Sequence, residues 1–268
     1  MSYIVFDLEF NQSYNSHKEG SNVNPLCPFE IIQLGAIKLD KNLKITSVLD
    51  RLVKPEVYSE LNPFIKDLTN INPEELYNAN PFKDVFEEFI NFIEDSKNIL
   101  CIWGMTDIKE LLRNVHYHKL DLSVIPRDYI DIQRYASRYL NCPKGTNIGL
   151  HKAVESYGIL TNYEFHNAIN DAYYTAEVFN RIFNKKIKPK KYNIEDYIAP
   201  KRQNNSKPKI DNDKLISQFE KMFNREMTEE EKSIIKLAYM MGRTNQFQVD
   251  TSDSEKNQDN AREQSLEH

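Results

Sequence analysis

The chain reads as an α/β fold, a mixed five-stranded sheet flanked by helices and followed by a small C-terminal helical appendage. Three observations predict this. Segments of strand character over residues 3–10, 30–39 and 44–53 follow one another as a meander. Two shorter apolar segments, 99–103 and 129–132, then alternate with stretches of helical spacing. After residue 184 a lysine-rich stretch separates this pattern from one last amphipathic pair.

Each element has a local reason. From Tyr3 to Phe10, Ile4, Phe6, Leu8 and Phe10 point to one face, and Val5, Asp7 and Glu9 to the other. Residues 11–28 are polar, lack a hydrophobic period and read as a mobile loop. Glu30 to Leu39 and Lys44 to Val53 join through Asp40-Lys41-Asn42 as a hairpin, and Pro55 ends the second strand. Pro73 suits the first turn of a short helix. Phe82 to Ile93 carries apolar residues at 82, 85, 86, 89, 90 and 93, which share a helical face. Asp107 opens a helix running toward His116, and the strand near Tyr129 to Ile132 precedes a helix through Leu140. Another helix spans about Ile148 to Tyr157 and stops at Gly158. Ile169, Ala172, Ala176, Phe179 and Phe183 form the stripe of the last helix in this domain.

With 268 residues, of which 40% are hydrophobic and 11% aromatic, the chain holds one full-sized domain plus an appendage. Its net charge of −5 argues against a broad electrostatic grip on duplex DNA, but not against holding the end of one strand. No apolar run reaches the length of a membrane span and no signal-type segment follows Met1, so a cytoplasmic location is expected. Cys27, Cys101 and Cys142 form no CxxC pair and are expected as isolated reduced thiols.

The expected organisation is a main domain over 1–184, a basic and polar linker over 185–210, a helical hairpin over 211–248 and a disordered tail over 249–268. The lysines at 185, 186, 188, 190 and 191 read as a solvated joint, with nucleic-acid contact as the second reading. In the hairpin, Leu215, Ile216, Phe219, Met222 and Phe223 share a face, and Thr228 with Glu231 makes a capping box. That hairpin would contact the main domain or a protein partner. The closing Ser-Leu-Glu-His resembles the start of a vector-derived histidine tag.

The chemistry is concentrated in three segments: IVFDLEFNQ with Asp7 and Glu9, WGMTDIKEL with Asp107, and HNAINDA with His166 and Asp171. Residues two apart on a strand share a face, so Asp7 and Glu9 project together. Their flanks are apolar enough for a central strand, where unpaired acids are costly without a cation. Carboxylate oxygens are the ligands that Mg²⁺ and Mn²⁺ prefer. On a continuous helix, His166 and Asp171 would lie about 140° apart. Both reach one site only when His166 sits on the loop entering the helix. A neutral imidazole there suits a general base.

In that order the three segments resemble the exonuclease motifs of the DEDDh group of 3′→5′ exonucleases, which have an RNase H-like fold. The segments EIIQLGAIKLD and LNPFIKDLTNINPEEL are similar to the KapD-like and Eri-like branch, which includes RNA 3′-end trimming enzymes. The resemblance covers about residues 2 to 184. It implies that Asp7, Glu9, Asp107 and Asp171 hold two ions, Mg²⁺ or Mn²⁺, and that His166 is the base. Asp7 would bridge the ions, Glu9 and Asp171 would complete the nucleophile side, and Asp107 would hold the other. It further implies that Leu68-Thr69-Asn70-Ile71 lies under the terminal base, with Thr69 on the sugar and Ile71 against the base. Leu8, Phe10 and Trp103 complete the substrate-binding candidates. The substrate expected is the 3′ end of single-stranded RNA or DNA, with RNA preferred, releasing nucleoside 5′-monophosphates. The alternatives are a DNA-trimming exonuclease of the proofreading type and a catalytically silent nucleic-acid-binding module of the same fold.

Overall fold

The computed structural model of the chain describes residues 2–13, 23–143, 145–198 and 212–235. Two compact units divide it, residues 1–200 and 201–268. At the centre of the first lies β1 (Tyr3–Asn11), antiparallel to β2 (Glu30–Leu39), which is antiparallel to β3 (Ile45–Lys54). A two-residue strand, β4 (Asn80–Pro81), extends this side in parallel with β3. On its other side β1 is parallel to β5 (Ile99–Ile102), and β5 to β6 (Asp128–Asp131). The last strand, β7 (Lys190–Lys191), pairs antiparallel with β6. The sheet therefore has seven strands, against the five expected, in the order β4-β3-β2-β1-β5-β6-β7. The two additional strands are two residues long, too short to show any alternation in sequence.

The helices of this unit are α1 (Pro63–Thr69), α2 (Pro73–Tyr77), α3 (Phe82–Ile93), α4 (Thr106–Tyr117), α5 (Ile132–Tyr139), α6 (Leu150–Ser156), α7 (Ala168–Ile182) and α8 (Glu195–Ile198). Helix α1 precedes α2 with no helix expected there from the sequence pattern. It is seven residues long, carries Pro63 in its first turn and is capped by the Asn62 side chain, which accepts from the Phe64 N–H at 3.0 Å. Asn70, in the left-handed conformation at φ 56°, ends it.

The alternation of β1 sorts the core into two layers. Ile4, Phe6 and Leu8 join Phe86 and Phe89 of α3 and Ile108 and Leu111 of α4 on one face. Val5 joins Ile37, Cys101 and residues of α5, α6 and α7 on the other. All ten residues of β2 are buried, so it is covered on both faces. Fully burying one such Phe or Leu side chain stabilises the fold by about 2–3 kcal/mol, which outweighs any single polar contact on the surface.

The domain does not end at 184. Ile187, Tyr192 and Ile194 are buried, and Tyr192 and Ile194 belong to the core beneath α3 and α4. The Tyr192 hydroxyl donates to the Pro126 carbonyl at 2.8 Å. Interspersed lysines hide this apolar spacing in the sequence, and the first half of the expected linker is part of the fold. Its remainder, and the expected tail from 249, lie outside the described residues.

In the second unit α9 (Asn212–Phe223) is followed by helical residues from 229. There Thr228 N–H donates to Glu231 Oε2 at 2.9 Å, and Glu231 N–H donates to Thr228 Oγ1 at 3.2 Å. Among the described residues no helix is long and apolar enough to cross a membrane. Cys27, Cys101 and Cys142 are free thiols.

One close approach decides where α7 sits. A Cβ on Gly35 of β2 would stand 2.2 Å from the Ile169 nitrogen and 2.4 Å from the Ala168 oxygen, so the first turn of α7 lies directly on the strand backbone. Gly35→Ala is expected to lower stability by about 3 kcal/mol, read as a lower urea midpoint at unchanged slope. An unchanged midpoint would mean that α7 shifts freely at this point.

Candidate active site

Cross-strand register places Asp7 opposite Gly35 and Glu9 opposite Gln33, so both carboxylates project on the face that α7 covers. A bulge between Glu9 and Phe10 ends the regular pairing just beyond them. Asp107 arrives from the next strand. β5 stops at Ile102, Gly104 turns the chain at φ 91°, and Asp107 is buried in the first turn of α4. Asp171 lies in the first turn of α7, whose N-cap Asn167 accepts from the Asn170 N–H at 3.4 Å. His166 immediately precedes that cap, exposed and with φ 62°. The loop-to-helix junction expected for the His166–Asp171 pair is thus present.

The structure brings three of the five into direct reach of one another and places Asp7 and Asp107 near them. Glu9, His166 and Asp171 each offer a ligand atom within 4.8 Å of the other two. Asp7 and Asp107 are close enough to act electrostatically on this group. Burial first, then Asp107, Asp171 and Glu9, pushes the Asp7 carboxyl well above the usual carboxylate range. Burial, with Asp171 and Asp107 adding, pushes Glu9 up to about 8. Burial raises Asp107 to about 8, with Asp171 and Glu110 adding. Asp171 is raised to about 6 by burial, opposed by its bond from His166, whose main-chain N–H donates to Asp171 Oδ2 at 3.2 Å.

Clustered, desolvated carboxylates of this kind mark a site that positive charge completes. The donor set is rich in carboxylate oxygen, and Asp171 Oδ1 is buried without a hydrogen-bond partner among the described residues. Both features fit a hard divalent cation. The residues present fit such an ion.

Sequence reasoning missed two residues that hold the site in place. Gln33 accepts from the Ala168 N–H at 3.1 Å and donates to Asp50 Oδ1 at 2.9 Å, tying the start of α7 to β2 and β3. A glutamine inside the apolar run EIIQLGAIKL was the available signal, because a buried amide requires partners. Tyr174, fully buried on α7, clamps the histidine loop. Its hydroxyl accepts from Tyr163 N–H and donates to Tyr163 O, both at 2.8 Å, and its ring stacks on Phe165 at 4.7 Å. No spacing rule signals that contact.

The substrate-binding candidates separate. Thr69 and Ile71 line a polar cavity of about 290 Å³ shared with Gln33, Glu164, Phe165 and Asn167. The Thr69 hydroxyl, however, already donates to the Ile65 carbonyl at 2.8 Å, leaving it only acceptor capacity for a sugar. Ile71 is largely buried against Ile32 and Leu76, so it offers an edge to that cavity and no broad stacking face. Leu68 is half-buried at the end of α1. Phe10 is half-buried, edge-on to Phe29 at 6.3 Å. Trp103 is half-buried beside the α5–α7 layer. Leu8 is corrected: its side chain is packed in the core under α3 and α4, so only its main chain faces the site.

Residues 4–179 match the RNase T family, described as exonuclease. The chain belongs to this exonuclease family, and its class is that of a nuclease, a phosphodiester hydrolase. The PolC-type DNA polymerase III of Thermotoga petrophila is 30% identical over 193 residues, 67% of this chain and 13% of that protein. Its counterpart in Streptococcus sanguinis is 29% identical over 185 residues, 68% of this chain and 11% of that one. The chain thus spans little more than a tenth of these relatives' length. Among solved structures, the nuclease domain of 3'hExo, a DEDDh family member bound to rAMP, aligns with a TM-score of 0.61 at 19% identity. That alignment covers 71% of this chain and 97% of the other, and the shared architecture is the RNase H-like one.

Two outcomes follow from this geometry. Folded Glu9 and Asp107 hold their protons more tightly than the unfolded chain does, so stability is greatest at acid pH and falls as pH rises from the usual carboxylate range through about 8. Melting of metal-free protein between pH 5 and 8.5 is expected to show this fall. Glu9→Gln with Asp107→Asn should make it shallower, and Mn²⁺ should raise the midpoint more at pH 8 than at pH 5.5. A pH-independent wild-type midpoint would contradict the account. Separately, Tyr174→Phe removes both bonds to the Tyr163 peptide and should lower stability by about 1–3 kcal/mol. Amide exchange at residues 162–167 should accelerate; protection equal to wild type there would show that the clamp is idle.

Proposed function

We propose that the chain is a metal-dependent 3′→5′ exonuclease that releases nucleoside 5′-monophosphates from single-stranded 3′ ends, with RNA preferred. One observation carries this reading: Asp7, Glu9, Asp107 and Asp171 converge at the end of β1 with His166 beside them on the loop. The four carboxylates would hold two ions, Mg²⁺ or Mn²⁺. Bound there, such ions neutralise the acids, acidify water and stabilise charge on the leaving oxygen.

The chain's own residues divide the remaining work. His166 takes the proton of the attacking water, whose oxygen bonds to the terminal phosphorus in line as the bond to the 3′-oxygen breaks. The main-chain bond from His166 to Asp171 keeps the base and a metal-holding carboxylate in one unit. Thr69 and Ile71, at the cavity between α1 and the histidine loop, would receive the terminal nucleotide. The direction of attack is supported by fold neighbours described as 3'-exonucleases.

RNA preference rests on likeness to the KapD-like and Eri-like branch. The PolC-type relatives favour the second reading, a DNA-trimming exonuclease of the proofreading type. Incubation with 5′-labelled ribo- and deoxyribo-oligonucleotides of matched sequence and Mn²⁺ distinguishes them. The expected result is a ladder of shortened products, faster on RNA. Asp7→Ala is expected to abolish it, and His166→Ala to slow it by about 10²–10⁴-fold. A ladder undiminished in either variant would overturn the assignment. No ladder at any Mn²⁺ concentration would leave only a binding module.

A further inference from the structure

We infer that the groove between α5 and the loop residues 141–143 and 145–147 binds the phosphate backbone of the strand upstream of the cleaved end. This deepens the exonuclease reading and rests on it. The groove encloses about 860 Å³ and is walled by Arg134 and Arg138 of α5 and by Asn141, Thr146 and Asn147 of the loop.

The two arginines are four residues apart and share a helical face. Both are exposed, and neither guanidinium makes an ion pair or hydrogen bond to a described residue; Arg138 lies 5.9 Å over the Tyr135 ring. Three of the other four arginines of this unit are engaged, Arg127 being the exception among the described residues. Arg51 pairs with Glu88, Arg113 with Glu110 and the Tyr197 carbonyl, and Arg181 bonds the Tyr157 carbonyl. Asp131 is the acid on the groove's lining, and its carboxylate already accepts from the N–H groups of Arg134 and Gly104. Lys190 of β7 stands close enough to act on the same carboxylate and adds positive charge there, while Lys191 pairs with Asp128. The chain is acidic as a whole, yet this wall is basic and amide-rich, the composition that tracks a phosphate backbone.

Its position fits an incoming strand. Val5, Cys101 and Ile130 lie in line across the parallel strands β1, β5 and β6. Adjacent strands are about 4.8 Å apart, which puts β6 about 10 Å from the acids of β1. The three strands run toward the same edge: β1 reaches it with Asp7 and Glu9, β5 leads to Asp107 and β6 to Arg134. The cavity holding Thr69 and Ile71 lies on the opposite side, over β2 and β3. A strand whose terminal nucleotide enters that cavity and whose last phosphate meets the acids continues over β5, past Trp103, to the arginines.

The test uses the full chain, a fluorescein-labelled twelve-nucleotide RNA held uncleaved in Ca²⁺, and a dinucleotide turned over in Mn²⁺. Arg134→Ala with Arg138→Ala is expected to weaken twelve-mer binding about tenfold and to reduce the log Kd against log salt slope by about 1.4, or 0.7 for each lost phosphate contact. Dinucleotide turnover should not change, and Arg134→Lys with Arg138→Lys should keep most of the slope. Wild-type affinity and slope in the double alanine variant, or an equal loss on the dinucleotide, would overturn the inference. Wild-type protein that binds the twelve-mer through these arginines yet never shortens it would support the groove and refute the exonuclease reading instead.

Discussion

The rest of the structure depends on one electrostatic constraint: four carboxylates must be held close together where they are partly or fully withdrawn from water. Each repels the others, and burial pushes every one of them toward its protonated form. Side chains left to themselves would swing outward. They stay because each is carried by a backbone that has no freedom to move: a central strand, the first turn of a helix fed by that strand's parallel neighbour, and the first turn of a helix resting on a glycine. Rigidity is supplied by the apolar layers on both faces, and the acids use it.

How much of this the sequence disclosed depends on the length scale. The alternation of Tyr3 to Phe10 correctly divided Val5 from Ile4, Phe6 and Leu8, because period two on a covered strand leaves each residue one face. The spacing of His166 and Asp171 demanded a loop-to-helix junction, and α7 begins at Ala168 between them. Those are local arguments. The burial of the Leu8 side chain was not legible because its neighbours in the chain say nothing about α3 and α4 packing over it. The lysines at 190 and 191 looked like a joint because strand pairing with Asp128 and Tyr129 depends on residues some sixty positions away. The clamp of Tyr174 on Tyr163 was invisible for the same reason, since one hydroxyl bonds both ends of a peptide that no periodicity marks.

The positions of the acids also explain why the two sides of the site differ. Toward β2 and β3 the surroundings are amide and carboxyl groups: Gln33, Asp50, Glu164 and Asn167. Toward β6 they are two guanidinium groups and loop amides, with one carboxylate, Asp131, among them. A polar cavity on one side and positive charge on the other give the site a direction along the sheet edge. The carboxylate cluster alone does not define one.

The contact of α7 with Gly35 has a consequence for assembly. Side chains alternate along β2, so a slip of one residue against β1 would bring Leu34 or Ala36 beneath Ala168 and Ile169 and turn Gln33 to the wrong face. The helix could not then seat, and neither Asp171 nor His166 would reach Glu9. Docking of α7 therefore senses strand register, and a mispaired sheet lacks the acid cluster. Correct strand pairing and the gathering of the acids are thus coupled through a single missing methyl group.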